Sequence, residues 1–263
     1  MARETQAIVA AGRYERDGRM VDIGASVTAA CRGSHLHLPD DPALDLAPSG
    51  VGTGSVEVTG ETTLAAAARL VDEGHGPVAC LNFASARKAG GGWLNGAEAQ
   101  EEGLARASAL AACLASVPEF YEFHRRQQDL RYGDHIVCSP AVPVFRDDSG
   151  TLLARPYQVM FLTAAAPNAG ALADQGRSAD MRELIGLRAR RVLAAALLHE
   201  QRALVLGAWG CGVFRNDPAV VADAFAGLLE DGFAGAFDRV TFAVLDRAAG
   251  APTRRAFVDR LGR

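Results

Sequence analysis

Two short, nearly unbroken apolar runs, each leading into a glycine-rich loop and then a helical pattern, constrain this chain most. The first is Pro77-Val-Ala-Cys-Leu-Asn-Phe83, with glycines following at 90–92. The second is Ala203-Leu-Val-Leu206, with a glycine loop over 207–212. A strand apolar at consecutive positions is buried on both faces, as in a parallel sheet covered by helices on each side. Further strands read at Val56–Val58, 135–139, 157–162 and 240–245, and helices at 62–72, 98–116, 179–199 and 218–230. In the second half strand and helix alternate, which predicts a mostly parallel or mixed sheet between helical layers. Ligands bind such an open sheet beyond the carboxyl ends of its strands, where the two loops sit.

Local signals set the boundaries. A Thr62 hydroxyl can cap the helix it opens, and Asp217 with Pro218 starts the helix after the second loop. Pro118 ends the 98–116 helix by disfavouring helical geometry at Val117, and a polar helical patch follows at 119–130. At the start, residues 3–11 read as an amphipathic helix closed by Gly12, 13–30 as a hairpin about Asp17-Gly18, and 32–54 as loop. No repeat and no clean linker is visible. We therefore expect one domain over 1–263, with residues 1–54 as an N-terminal extension packed on it.

At 263 residues such a domain buries about 70% of the surface its unfolded chain exposes. With 49% hydrophobic and 22% charged residues, disorder is excluded. No apolar run reaches the roughly 18 residues of a membrane span, and Met1-Ala-Arg-Glu-Thr-Gln lacks a signal-peptide pattern. The expectation is a cytoplasmic protein. A net charge of −4 argues against wrapping nucleic acid by charge, but leaves room for a small anion held by backbone amides. The five cysteines show neither CxxC nor CxH spacing, so reduced, buried thiols and no zinc site are expected. His35 and His37 share a face if extended. Without an HExxH-like partner they read as surface or packing residues.

Neither glycine loop is GxGxxG or GxxxxGK[ST], which disfavours an ordinary dinucleotide fold and a P-loop NTPase. Near the start of the helix after the first loop lies Gln100-Glu101-Glu102. Two acidic residues in a first turn ordinarily complement the helix dipole from water. Here, however, they follow Gly90-Gly91-Gly92 by a seven-residue spacer. That combination resembles the signature of the poly(ADP-ribose) glycohydrolases, and the run Leu81–Glu102 resembles their bacterial branch. The stretch Gly207–Asn216, with Phe214, resembles the family's diphosphate-binding loop. The start, Arg3, Thr5 and Gly12-x-Tyr14, extends the likeness over nearly the whole chain. Lys88-Ala89 departs from it, standing where many bacterial members carry Asn-Pro.

The resemblance implies a three-layer α/β/α macrodomain with a mixed, largely parallel sheet, binding ADP-ribose in a crest cleft. Carried over, Glu102 is the catalytic carboxylate, while Glu101 and Asn95 hold the ribose whose bond is cut. Gly90, Gly91 and Gly92 form the catalytic loop, and Gln100 joins the substrate-binding set. Gly210, Cys211, Gly212 and Val213 wrap the diphosphate through their amides, and Phe214 orients the ribose. The implied reaction is hydrolysis of ribose–ribose O-glycosidic bonds in poly(ADP-ribose), by a monomer that needs no cofactor or metal and does not bind DNA directly. Its partners would be ADP-ribose, the polymer and poly-ADP-ribosylated proteins, in the DNA damage response. Two alternatives stay open: a reader that binds ADP-ribose without cutting it, and a mono-ADP-ribosyl-protein hydrolase.

The residue types suit the chemistry. Cleavage passes through an oxocarbenium-like state, and one carboxyl can protonate the leaving hydroxyl and then activate water. A helix N-terminus lowers a carboxyl's pKa, whereas burial and a neighbouring charge raise it. The sequence leaves that balance open. Trp93 and Trp209 either stack on ligand or pack beneath the loops. Cys211 reads as a small filler, Arg125-Arg126 as a solvated face, and 164–173 as a loop near the cleft without an assigned role.

Overall fold

A computed structural model describes residues 1–46, 54–177 and 181–262. The N-terminal segment forms α1 (Ala2–Ala11), a hairpin of β1 (Arg13–Arg16) and β2 (Arg19–Asp22), α2 (Gly24–Gly33) and β3 (His35–His37). After these come β4 (Ser55–Thr59), α3 (Thr63–Asp72) and β5 (Val78–Phe83), then α4 (Gln100–Ala107), α5 (Leu110–Ala115) and α6 (Pro118–Arg126). A long pair, β6 (Ile136–Arg146) and β7 (Leu152–Ala164), leads to α7 (Ala169–Asp174) and α8 (Arg182–Leu198). The chain then runs through β8 (Ala203–Leu206), α9 (Pro218–Glu230), β9 (Arg239–Ala243) and α10 (Pro252–Leu261).

Seven strands form one sheet in the order β3-β6-β7-β5-β8-β9-β4. Only β6 runs against the others, being antiparallel to both β3 and β7, while β7, β5, β8, β9 and β4 pair in parallel. The expected mixed, largely parallel sheet between helices is what the chain builds. Strand alternation sends Val78 and Cys80 of β5 into a core shared with α2, α3, α4 and α5. Ala79 and Leu81 enter a second core with α8, α9 and Phe257 of α10. The two β5 neighbours, β7 and β8, bury apolar side chains on both faces in the same way. No helix among the described residues is long and apolar enough to cross a membrane.

The caps read from sequence are present. Thr62 Oγ1 accepts from the Ala65 amide at 3.0 Å, and Asp217 Oδ1 from that of Ala219 at 2.9 Å. Several boundaries differ. The hairpin stops at Asp22, and the apolar residues beyond it form α2, whose Val27 and Ala30 are buried. The span read as loop over 32–54 contains β3 and a 3-10 turn at Pro42–Leu44; its residues 47–53 lie outside the described residues.

The single helix expected over 98–116 is two. At the break, Ser108 donates to the Leu104 carbonyl and accepts from the Leu110 amide. A serine hydroxyl competes in this way with helical bonding, and Ser108 bridges Val144 of β6. Pro118 opens α6 as its first residue and does not terminate a longer helix. Both β6 and β7 outrun the sequence reading. Pro140 and Pro143 mask the continuation of β6, which absorbs Pro140 at a register shift where Ala141 takes φ +48° and keeps Pro143 in register with Gln158.

The histidines also depart from expectation. His35 and His37, on one face of β3, meet His199 beyond α8 and Cys138 of β6 in a single cluster. Three sequence-distant elements converge there, so no local spacing could announce it. Cys80, Cys113 and Cys138 are buried thiols as expected, but Cys31 and Cys211 are partly exposed.

Candidate active site

β5 and β8 are neighbours in the sheet, so the loops leaving their carboxyl ends lie side by side. A Cβ at Gly207 would come within 3.1 Å of the Phe83 ring, which measures how closely the two loops begin. The first loop is shaped by Gly90 and Gly91 at φ +69° and +60°, a left-handed region that favours glycine. A side chain on Gly91 would overlap the Glu102 carboxylate, while one on Gly90 would press within 2.8 Å of Trp93. Trp93 is buried under the loop and Trp209 is fully buried, donating to the Ala164 carbonyl at 3.0 Å. Both tryptophans are therefore packing residues.

Gln100, Glu101 and Glu102 form the first turn of α4, but they do not sit in water as an ordinary acidic first turn does. Glu101 is 2% exposed and Glu102 is 8% exposed. Gln100 is committed to the sheet: its Oε1 accepts from the Phe83 amide at 2.9 Å, and its Nε2 donates to the Leu81 carbonyl and Thr63 Oγ1. This clamp fixes α4 on the end of β5. Glu101 Oε2 accepts from the Ser85 amide at 2.7 Å, and Oε1 from Asn82 Nδ2 at 3.3 Å. Asn82 also donates to Thr163 Oγ1. Burial, reinforced by the charge of Glu102, pushes the Glu101 carboxyl up to about 8, although the Ser85 and Asn82 bonds oppose it.

Glu102 is held at one oxygen only. Its Oε1 accepts from the Gly92 amide at 2.8 Å, whereas Oε2 is buried without a hydrogen-bond partner. The glycine loop thus aims one carboxylate and leaves half of it unused. Asn95 lies exposed on the 3-10 turn Trp93–Asn95 that follows the glycines.

In the second loop the amides of Cys211, Arg215 and Asn216 are taken by the carbonyls of Ala208, Gly212 and Gly210. Among the described residues none accepts from the amides of Gly210, Gly212, Val213 or Phe214. The left-handed residue is Gly210, at φ +72°. Gly212 needs no such conformation, and a Cβ there meets nothing within 4 Å. Val213 is 79% exposed, and Phe214 packs on Tyr132 with ring centroids 5.8 Å apart. Burial raises the Cys211 thiol to about 12, which disarms it as a nucleophile.

Three features escaped the sequence reading. Asn82 is the lone polar residue of an otherwise apolar strand, and that oddity was the available signal. Tyr121 of α6 has a buried hydroxyl whose pKa is raised by burial and then by Glu101. No local pattern marks it. The segment after β7, given no role, is bonded to the second loop. Asn216 Nδ2 donates to the Pro167 carbonyl, the Gly170 amide donates to that of Phe214, and Arg215 pairs with Asp174.

Residues 2–147 match the family model described as the catalytic domain of microbial-type poly(ADP-ribose) glycohydrolase, PARG. The chain belongs to the microbial-type PARG family. It is similar to the PARG of Thermomonospora curvata, with 53% identity, 99% of this chain and 97% of the other covered, and a TM-score of 0.95. The same protein bound to the inhibitor ADP-HPD aligns at 53% identity over the same shares, with a TM-score of 0.93. The PARG of Deinococcus radiodurans in complex with ADP-ribose is 46% identical, with 89% of this chain and 96% of the other covered and a TM-score of 0.84. Among curated protein sequences, none matches. The PARG-type GGG and QEE elements are the loop and helix turn that enclose Glu101 and Glu102 here.

Proposed function

We propose that this PARG-family chain hydrolyses the ribose–ribose O-glycosidic bonds of poly(ADP-ribose) and releases ADP-ribose, with Glu102 as the acid and base. The observation that carries this reading is the Glu102 carboxylate, anchored through Oε1 on the Gly92 amide and left with a buried, unpartnered Oε2. A rigidly held carboxyl with one unused oxygen suits proton delivery to a leaving hydroxyl and later removal of a proton from water.

Glu101, lifted to about 8, enters at neutral pH mainly as the protonated acid. Asn82 Oδ1 is also buried without a partner. Turning the Asn82 amide over lets that oxygen accept the Glu101 proton, so a neutral Glu101 completes the pair. In this arrangement Glu101 keeps a second negative charge out of the cleft and positions Glu102, while Glu101 and Asn95 hold the scissile ribose. The uncommitted amides of Gly210, Gly212 and Val213 face the diphosphate, and Phe214, backed by Tyr132, orients the ribose. The amide of Cys211 is already used by Ala208, so we leave it out of the diphosphate cradle. Gln100 serves as a positioning residue through its clamp on β5.

Packing of Ile8, Tyr14, Ile23 and Val27 into the same core as Val78 and Cys80 supports reading the chain as one domain with an N-terminal extension. Five unpaired cysteines support a reducing, cytoplasmic setting. The test is incubation with labelled poly(ADP-ribose) in the presence of EDTA. Release of ADP-ribose is the expected result. Intact polymer together with tight ADP-ribose binding would make the chain a reader.

A further inference from the structure

On the far side of the sheet from Glu101, His35, His37, His199 and Cys138 bring four donor atoms within 4.8 Å of one another. His35 and Cys138 are register partners across β3 and β6. Cys138 belongs to the core beneath α8, and His199 caps the C-terminus of that helix. Asn82, one residue beyond Leu81 on β5, points the opposite way, into the α4 layer with Glu101.

The imidazole tautomers are fixed from outside. His35 Nδ1 donates to the Gly33 carbonyl at 2.9 Å, and His37 Nδ1 donates to Asp41 Oδ2 at 2.6 Å. Asp41 is itself held, its Oδ1 accepting from the Ala43 amide. In the neutral rings both Nε2 lone pairs then face inward, 3.2 Å apart, and His199 Nε2 stands 3.3 Å from that of His37. Two converging lone pairs repel each other unless a proton or a cation lies between them. A Zn–N bond of about 2.0–2.1 Å at the tetrahedral angle places donor atoms about 3.3–3.4 Å apart, close to the spacing here. Ligand histidines characteristically donate their other N–H to a carboxylate or a carbonyl, as both do.

We propose that His35, His37, His199 and Cys138 bind one borderline transition-metal ion of the Zn²⁺ class in a closed, four-donor site that ties β3 to the sheet and to the end of α8. Binding displaces the Cys138 thiol proton to solvent and leaves a thiolate ligand. All four positions are filled by protein, so the ion's role is structural and separate from the hydrolytic cleft.

The test uses the full chain made without a polyhistidine tag and stripped with EDTA. Zn²⁺ is titrated against a chromophoric chelator, and Co²⁺ uptake is followed by absorbance. One equivalent per chain is expected, with tetrahedral cobalt bands and a thiolate-to-metal band that Cys138→Ser removes. His37→Gln and His199→Gln should each weaken Zn²⁺ binding at least 100-fold. Asp41→Ala, a milder change at a partly buried position that keeps every ligand, should weaken it about 10- to 100-fold. Saturation with Zn²⁺ should raise the Tm of the wild type and not of His37→Gln. Polymer hydrolysis by Asp41→Ala, with or without EDTA, should match the wild type, so a failure of this proposal is distinguishable from a failure of the glycohydrolase reading. Absence of saturable micromolar uptake by the wild type, uptake undiminished in Asp41→Ala and His37→Gln, or a cobalt spectrum without the thiolate band would overturn the proposal.

Discussion

Replacing Glu101 with glutamine should make the protein more stable at alkaline pH, and by an amount that depends on pH. In the folded chain the Glu101 carboxyl is lifted from an ordinary 4.5 to about 8, chiefly by burial and then by the charge of Glu102. Below pH 4.5 both folded and unfolded chains hold the proton and nothing is lost. Between 4.5 and 8 the unfolded chain releases it while the folded chain keeps it, so stability falls as pH rises; above 8 the loss is complete. Such a displacement corresponds to a ceiling of about 4 to 5 kcal/mol. Glutamine cannot ionise. Its Oε1 can accept from the Ser85 amide, and its Nε2 can donate to Asn82 Oδ1, otherwise unpartnered, once that amide turns over. Burying the new amide costs about 1–3 kcal/mol. The net gain at pH 8.5 is then about 1–4 kcal/mol, or roughly 2 to 16 °C in Tm for a chain of this size. Thermal unfolding of both proteins by circular dichroism from pH 4.5 to 9 reads the difference directly. It should grow with pH and reverse at the acid end, where the variant is less stable by the amide's burial cost of about 1–3 kcal/mol. A difference that is flat across the range, or that shrinks as pH rises, would refute a buried carboxyl of raised pKa at this position.

Other changes probe the remaining parts of the site. Gly91→Ala forces an L-residue to φ +60° and overlaps the Glu102 carboxylate, so polymer turnover should fall by about 100-fold while circular dichroism still shows a folded chain. Gly212→Val meets open space, so its Tm should stay within about 2 °C of wild type; calorimetric titration should show ADP-ribose and ADP binding at least 10-fold weaker, with adenosine unchanged. Gln100→Leu removes bonds to the Phe83 amide and the Leu81 carbonyl and should destabilise the fold by about 2–4 kcal/mol in urea unfolding, since buried backbone groups lose partners.

Much of this architecture was legible because it is local. The apolar runs at 77–83 and 203–206 are two of the inner strands covered by helices on both faces, and Thr62 and Asp217 cap the helices they were read to cap. What stayed hidden depends on contacts between distant segments. Ser108 leaves its helix to bridge Val144, and β6 carries Pro140 through a bulge and Pro143 in register, where sequence pattern reads a stop. In the site, the GGG and QEE elements announced Glu101 and Glu102, but not their burial. An acidic first turn looks the same in sequence whether α4 points it at water or at β5. Burial is decided by the Gln100 clamp, which joins residues 17 and 19 positions apart. Tyr121 and the histidine cluster are more distant cases, assembled by the sheet order alone.

The central claim is that Glu102 cycles the proton, and the most direct measurement is single-turnover hydrolysis of labelled poly(ADP-ribose) by Glu102→Gln, paired with calorimetric titration of ADP-ribose. The amide keeps the shape of the carboxylate and can still accept from the Gly92 amide, but it cannot give and take a proton. The account predicts a rate lower by at least 1,000-fold, with ADP-ribose affinity within a few-fold of wild type. A variant that cleaves the polymer at near the wild-type rate would remove Glu102 from the chemistry and contradict the mechanism proposed for this site.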